Sequence, residues 1–129
     1  MKGNENILYP KWEKGHYKGG IGEYDRLEQA RKINREAADA SASWGMFQIM
    51  GFNYAACGEE SIESFVRSMC ESEFKQLLLT ANFIKKNSQM LQALQARDWA
   101  VFAKCYNGPA YAQNRYDVKL EAAYQKYSL

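Results

Sequence analysis

A glutamine set in an apolar run is the first residue of this sequence with chemistry to offer. The run reads Ser41-Ala42-Ser43-Trp44-Gly45-Met46-Phe47-Gln48-Ile49-Met50-Gly51. Met46, Phe47, Ile49 and Met50 are expected to be buried in any compact fold. Gln48 then carries an amide donor and an amide acceptor into apolar surroundings, where leaving them unpaired costs about 1–3 kcal/mol. Two arrangements satisfy it: a core helix whose glutamine bonds to backbone, or a glutamine on the floor of a cleft that takes a polar ligand. Glu23 is the second candidate. It follows Gly19, Gly20 and Gly22, where backbone N–H groups can face a cleft. An acid at a helix start is also favoured by about 0.3–1 kcal/mol for electrostatic reasons alone. Asp39 lies in an alanine-rich stretch that points to a surface aspartate. Asn107, in Tyr106-Asn107-Gly108-Pro109, reads as a plain turn residue. His16 is the single histidine. A structural hydrogen bond accounts for it, and no second ligand suggests a metal.

Composition narrows the classes. The 129 residues amount to one domain, 47% apolar and 25% charged, as in an ordinary soluble globular protein. The net charge of +2 and the absence of a basic stripe give no argument for nucleic acid. No run approaches the roughly 18 apolar residues of a membrane span. Nine tyrosines and three tryptophans stand out; such rings either stack on carbohydrate or build the core. Cys57, Cys70 and Cys105 show neither metal-ligand spacing nor a CxxC pair. Cys70 and Cys105 fall in apolar helical contexts and are expected to be buried free thiols, in keeping with synthesis in a reducing compartment. The first residues lead to no apolar leader.

These residues must be positioned by helices. Residues 1–22, with Pro10 and five glycines, read as loop or a small hairpin. Ile7, Leu8, Tyr9 and Trp12 are expected to tuck an extended segment against the core. A helix is expected over 23–34, and helix or turn over 36–42. The strongest pattern is 62–86, with Ile62, Phe65, Val66, Met69, Cys70, Phe74, Leu77, Leu78, Ala81 and Ile84 at 3-4 spacing, which predicts one long core helix capped by Ser61. Glu71 and Glu73 read as solvated charges. Ser88 opens a short helix to Ala96. Asp98 caps a helix over 99–106, which Gly108 and Pro109 end. A last helix runs to Tyr127. The class is all-α.

The 41–51 run resembles the Gly-Leu-Met-Gln-Ile element of the lysozyme superfamily, as in goose-type lysozymes and soluble lytic transglycosylases. Here it reads Gly45-Met46-Phe47-Gln48-Ile49. The longer form, which continues through Phe52-Asn53, is similar to the N-acetylmuramidase domain of phage endolysins. Gly19-Gly20-Ile21-Gly22-Glu23-Tyr24-Asp25-Arg26-Leu27 and Tyr106-Asn107-Gly108-Pro109 match the same family in order and spacing. The resemblance covers about 7–127. It implies a lysozyme-like all-α fold and a peptidoglycan glycan strand as partner, with no cofactor and no metal. The bond cut lies between N-acetylmuramic acid and N-acetylglucosamine. Carried over residue by residue, it makes Glu23 the catalytic candidate, as second carboxylate or sugar ligand. Gln48, Tyr106 and Asn107 become substrate-binding candidates, together with Tyr24, Trp44 and Tyr111. The rival reading is a non-catalytic glycan-binding module; a third is a structural domain with no ligand.

One departure matters. In lysozyme-like folds the general acid is a glutamate at the end of a helix before the glycine-rich region. In this family it stands in a Glu-x-His-x-Phe-type run upstream of Ile-Leu-Tyr-Pro-Lys-Trp. Ile7-Leu8-Tyr9-Pro10-Lys11-Trp12 is present, six residues precede it, and Glu5 stands in the wrong context. The expectation is a single muramidase-like domain shortened on its N-terminal side, which keeps part of the sugar site and is weak in catalysis. A bare face on the order of several hundred Å² would then favour self-association. Synthesis in the cytoplasm without a signal peptide and action on the cell wall or periplasm complete the expectations.

Overall fold

A computed structural model describes Ile7 and residues 19–128. Apart from Ile7, the expectations for residues 1–18, including the extended 7–12 segment and His16, lie outside the described residues. The elements are helices α1 (Gly22–Ile33) and α2 (Arg35–Ser41), strands β1 (Ser43–Trp44) and β2 (Ile49–Met50), then helices α3 (Ile62–Glu71), α4 (Glu73–Lys86), α5 (Ser88–Gln95), α6 (Trp99–Asn107) and α7 (Tyr116–Tyr127). Short 3-10 turns occupy Gly51–Asn53 and Tyr111–Asn114. The chain divides into two compact units, Met1–Leu79 and Thr80–Leu129. The class is all-α, as expected.

In the first unit, α1 carries Glu23 and Asp25 in its first turn and Arg31 and Lys32 in its last, the arrangement the helix dipole favours. Asn34 breaks the helix with an extended backbone, and its side chain accepts the Ala37 N–H at 2.9 Å, which caps α2. The 41–51 segment is an antiparallel hairpin instead of a core helix, with Ser43 opposite Met50 and Trp44 opposite Ile49. The Gly51 N–H extends the ladder to the Ala42 carbonyl at 2.8 Å. Two left-handed residues make the helix impossible: Gly45 at φ +74 and Gln48 at φ +52. Met46 is accordingly 58% exposed at the tip instead of buried.

Asp39 is 4% exposed and not the surface residue its neighbours suggested. Its carboxylate accepts from Arg31 Nε at 2.7 Å, and its backbone carbonyl accepts from the Trp44 indole at 2.9 Å. The Asp39 hydrogen bond raises the Arg31 pKa above its ordinary value, against the opposing effect of burial. Gly51 sits so close to α2 that an added Cβ would lie 2.1 Å from the Asp39 carbonyl and 2.8 Å from Ile62 Cδ1. Ile49, Cys57, Ile62, Phe65 and Met69 are among the buried apolar residues of this unit.

The helix expected over 62–86 is two helices. Ser61 and Ser64 form a reciprocal capping box at the start of α3. Ser72 then adopts an extended backbone, and its hydroxyl accepts the Lys75 N–H at 3.1 Å. A serine that can cap a new helix competes with continuation of the old one. The break turns the apolar stripe. Ile62, Phe65 and Met69 are buried on α3, whereas Phe74, Leu77 and Leu78 on α4 are 66%, 50% and 43% exposed. Glu71 and Glu73 are exposed as solvated charges.

The second unit is built on Met90, Ala93 and Phe102, with Phe83, Ile84, Leu94, Val101, Cys105, Tyr106 and Leu120 packed around them. α5 opens at Ser88 as expected, and Asn87 caps it through the Met90 N–H at 3.1 Å. Asp98 caps α6 as expected, at 3.2 Å from the Val101 N–H. α7 is fastened to the start of α6 by the Trp99 indole N–H, which donates to Glu121. Gln125 first, then Trp99, holds the Glu121 carboxyl below the usual range. The buried cysteine is Cys57; Cys70 and Cys105, both expected to be buried, are exposed and half-buried respectively.

Two outcomes follow from this packing. Asp39→Asn should lower unfolding free energy by about 3 kcal/mol in urea titration, because it removes the buried charge that pairs with the half-buried Arg31 guanidinium. Gly51→Ala should cost more than that, since the clash is with backbone on one side and a core isoleucine on the other. Burial pushes the Cys57 thiol up to about 11 from 9.0, with a smaller contribution from Glu59. The folded state then holds its proton where the unfolded state releases it, so stability should fall as pH rises from about 9 to about 11. Cys57→Ala should flatten that slope.

Candidate active site

A cleft of about 1010 Å³ runs along the first unit, between the start of α1, the inner side of α2 and the hairpin. Glu23, Tyr24, Trp44 and Gln48 all line it. Four sequence candidates, drawn from two separate runs, therefore meet in one place.

Glu23 lies one residue inside α1. Gly19 and Gly20 adopt positive φ, at +72 and +51, which curls the chain so that the Gly19 N–H reaches Glu23 Oε1 at 3.0 Å. Arg26, one turn on, donates from its terminal nitrogen to Glu23 Oε2 at 2.8 Å. The Glu23 side chain is 36% exposed and that of Arg26 11%. A guanidinium at this distance favours a carboxylate over a carboxylic acid, which suits charge stabilisation or ligand binding. Tyr24, next to it, is 65% exposed and offers an open ring. Trp44 lines the cleft but is itself buried; its N–H is committed to the Asp39 carbonyl, and the Arg31 guanidinium lies 5.8 Å from its ring centre. What it offers a ligand is apolar surface only.

Gln48 is exposed at the cleft, and its amide is held at both ends. Nε2 donates to the Gly45 carbonyl at 2.8 Å, and Oε1 accepts from the Ser43 hydroxyl at 2.7 Å. One N–H and one lone pair remain for a ligand. The hairpin itself thus pairs half of the amide and leaves the other half at the surface.

The other three candidates belong to the second unit. Tyr106 stacks on Phe102 at 5.7 Å and meets Phe83 edge-on at 6.0 Å, so its ring is part of that core. Asn107 is exposed as the last residue of α6, where Gly108 at φ +87 ends the helix. Tyr111 opens the second 3-10 turn and is half-buried. Asp39 is the one buried carboxylate among the described residues, and it is ion-paired. Sequence reasoning missed Arg26 and Ser43. Arg26 had a signal, its three-residue spacing from Glu23 on a helix; Ser43 had none, because its reach to Gln48 exists only across the hairpin. Among the described residues no three His, Cys, Asp or Glu side chains cluster as a metal site.

The helical fold, with its small hairpin beside a cleft, is that of a lysozyme-like muramidase domain of the phage-endolysin kind. The chain matches the N-acetylmuramidase family over residues 1–128 and belongs to that family. Among solved structures it is similar to the crystal structure of Burkholderia AP3 phage endolysin, at 46% identity and a TM-score of 0.81. The match covers 90% of this chain and 45% of the endolysin, so the chain spans less than half of that protein's length. No match was found among curated proteins.

Gln48 serves both the turn and the cleft, and the two roles separate by substitution. Gln48→Gly removes the amide but relieves the left-handed strain of about 1 kcal/mol, which offsets part of the two lost hydrogen bonds at about 1 kcal/mol each. The melting midpoint should therefore shift by only a few degrees, whereas Gln48→Ala, which keeps the strain, should be the less stable of the two.

Proposed function

We propose that this chain acts on peptidoglycan as a glycoside hydrolase of the N-acetylmuramidase type, cutting the glycan strand between N-acetylmuramic acid and N-acetylglucosamine. The observation that carries the reading is the meeting of Glu23 and Gln48 in one cleft, in two runs that match the family separately. Glycosidic cleavage passes through an oxocarbenium-like state with positive charge at the anomeric carbon. The Glu23 carboxylate, held by the Gly19 N–H and Arg26, is proposed to face that charge as second carboxylate or to hold a sugar hydroxyl. Gln48 supplies one donor and one acceptor, the pair an acetamido group requires. Tyr24 adds an open ring for a sugar face. Tyr106, Asn107 and Tyr111, in the second unit, are proposed as sugar contacts on the likeness of their run to the family alone.

Among the described residues the general acid is the unfilled role. Protonation of the leaving oxygen needs a carboxyl kept neutral by an apolar setting, and Glu23 and Asp39 both carry a guanidinium partner. This pairing favours weak catalysis by residues 1–129, with glycan binding without cleavage as the second reading. Among the described residues no helix is long and apolar enough to cross a membrane, and the proposed place of action is the cell wall. Self-association belongs to the same proposal, to be read by light scattering.

The test pairs a lytic assay on permeabilised cells with titration of chito-oligosaccharides. The chain should bind the oligosaccharide. Gln48→Ala should weaken that binding about tenfold or more, because the change removes an uncharged hydrogen-bonding group that serves both ligand and turn. Lysis should be slow, short by the 10²–10⁴-fold that general acid–base assistance typically supplies, and Glu23→Gln should lower it further. Full lytic activity abolished by Glu23→Gln would instead make Glu23 the acid. Absence of both binding and lysis would sink the glycan reading altogether.

A further inference from the structure

We propose that Ser43 is a positioning residue for substrate recognition, fixing the amide of Gln48 so that its free donor and acceptor present to an acetamido group; this rests on the muramidase reading of the cleft. The hydrogen bonds determine the orientation of the amide without ambiguity. The Gly45 carbonyl has no proton to give, so the group 2.8 Å from it must be the amide nitrogen and not the oxygen. Oε1 then faces Ser43, and because a carbonyl oxygen only accepts, the Ser43 hydroxyl must donate, at 2.7 Å. A flipped amide would set oxygen against oxygen at Gly45. Ser43 alone, able to donate or accept, would tolerate either orientation. The two partners together hold one state.

The frame around them is stiff. The Gly45 carbonyl also receives the Gln48 backbone N–H at 3.3 Å. The Met46 N–H donates to Gln76 Oε1 at 3.0 Å, and Gln76 Nε2 donates to the Met69 carbonyl at 2.9 Å, so the turn is anchored to the end of α3. An added Cβ on Gly45 would come to 3.0 Å from both Gln76 Oε1 and Met69 Sδ, which leaves the turn no room to shift toward that side. Ser43 is opposite Met50 in the ladder and exposed, so its hydroxyl is the one partner of Oε1 that can be removed without touching the anchored side. Its removal frees χ3 of Gln48 about its single remaining tie, and a ligand must then restrict that rotation itself.

The experiment compares Ser43→Ala and Ser43→Thr with the unaltered chain. Three readouts are taken: the Gln48 side-chain NH₂ signals by NMR without ligand, the Kd for a chito-oligosaccharide, and KM and kcat in the lytic assay. Ser43→Ala should move the NH₂ signals towards those of a free glutamine, weaken binding roughly fivefold and raise KM with kcat held within about twofold. Ser43→Thr, which keeps the hydroxyl on a strand that suits a β-branched residue, should restore all three. Unmoved NH₂ signals, unchanged affinity in Ser43→Ala, or no rescue by threonine would each overturn the role of Ser43 while leaving the muramidase reading in place. Failure of the unaltered chain to bind any glycan would overturn that reading, and this inference with it.

Discussion

Asp39 is held from three directions, and the first unit is assembled on that fact. Its carboxylate takes the Arg31 guanidinium from α1. Its carbonyl takes the Trp44 indole from β1. The same carbonyl is the atom against which Gly51 closes at the end of β2. A buried carboxylate is tolerated only when paired and hydrogen-bonded, so the charge at Asp39 does more than add an attraction. It demands Arg31 in one place, and with it the angle at which α1 meets α2. The glycine supplies the steric half of the constraint, since no other side chain lets the hairpin approach so near.

The cleft is a by-product of this fastening. α1 and the hairpin are drawn to the same residue of α2 and leave their outer ends, with Glu23 on one and Gln48 on the other, facing shared space. Both polar groups arrive already bonded to their own surroundings, Glu23 to Gly19 and Arg26, Gln48 to Gly45 and Ser43. Groups set in this way need little reorganisation when a ligand arrives, which is where recognition gains most. Membership in the N-acetylmuramidase family gives the cleft its context; the internal hydrogen bonds explain why a glutamine can occupy a strained left-handed position there.

Much of this was legible in the residues. Helix caps at Ser61 and Asp98 and the stop at Gly108 follow from side-chain chemistry local to each position, and the structure has them. The all-α class follows from periodicity. What escaped was whatever depends on a partner distant in sequence or on competition between local choices. Ser72 reads as one polar residue on a long amphipathic stripe, yet its capping bond wins and splits the stripe. Asp39 reads as a surface acid among alanines because nothing nearby announces Arg31 as its partner. The 41–51 run has the composition of a core segment, and only the positive φ of Gly45 and Gln48 reveals a turn. The candidate residues Glu23, Tyr24, Trp44 and Gln48 were found by motif, but the cleft that joins them is tertiary and has no local signature.

The hairpin tip distributes tolerance to change unevenly. Gly51 and Gly45 are closed to other residues by the atoms around them, and Ser43 and Gln48 answer to each other. Met46 sits between these fixed points with its backbone secured by Gln76 and its side chain pointing into open space. Evolution can vary that one position at almost no cost to folding, since surface changes away from such features stay within about 0.5 kcal/mol. The turn therefore works as a rigid mount with one interchangeable tip, whose side chain can change in size and polarity while the fold beneath stays constant.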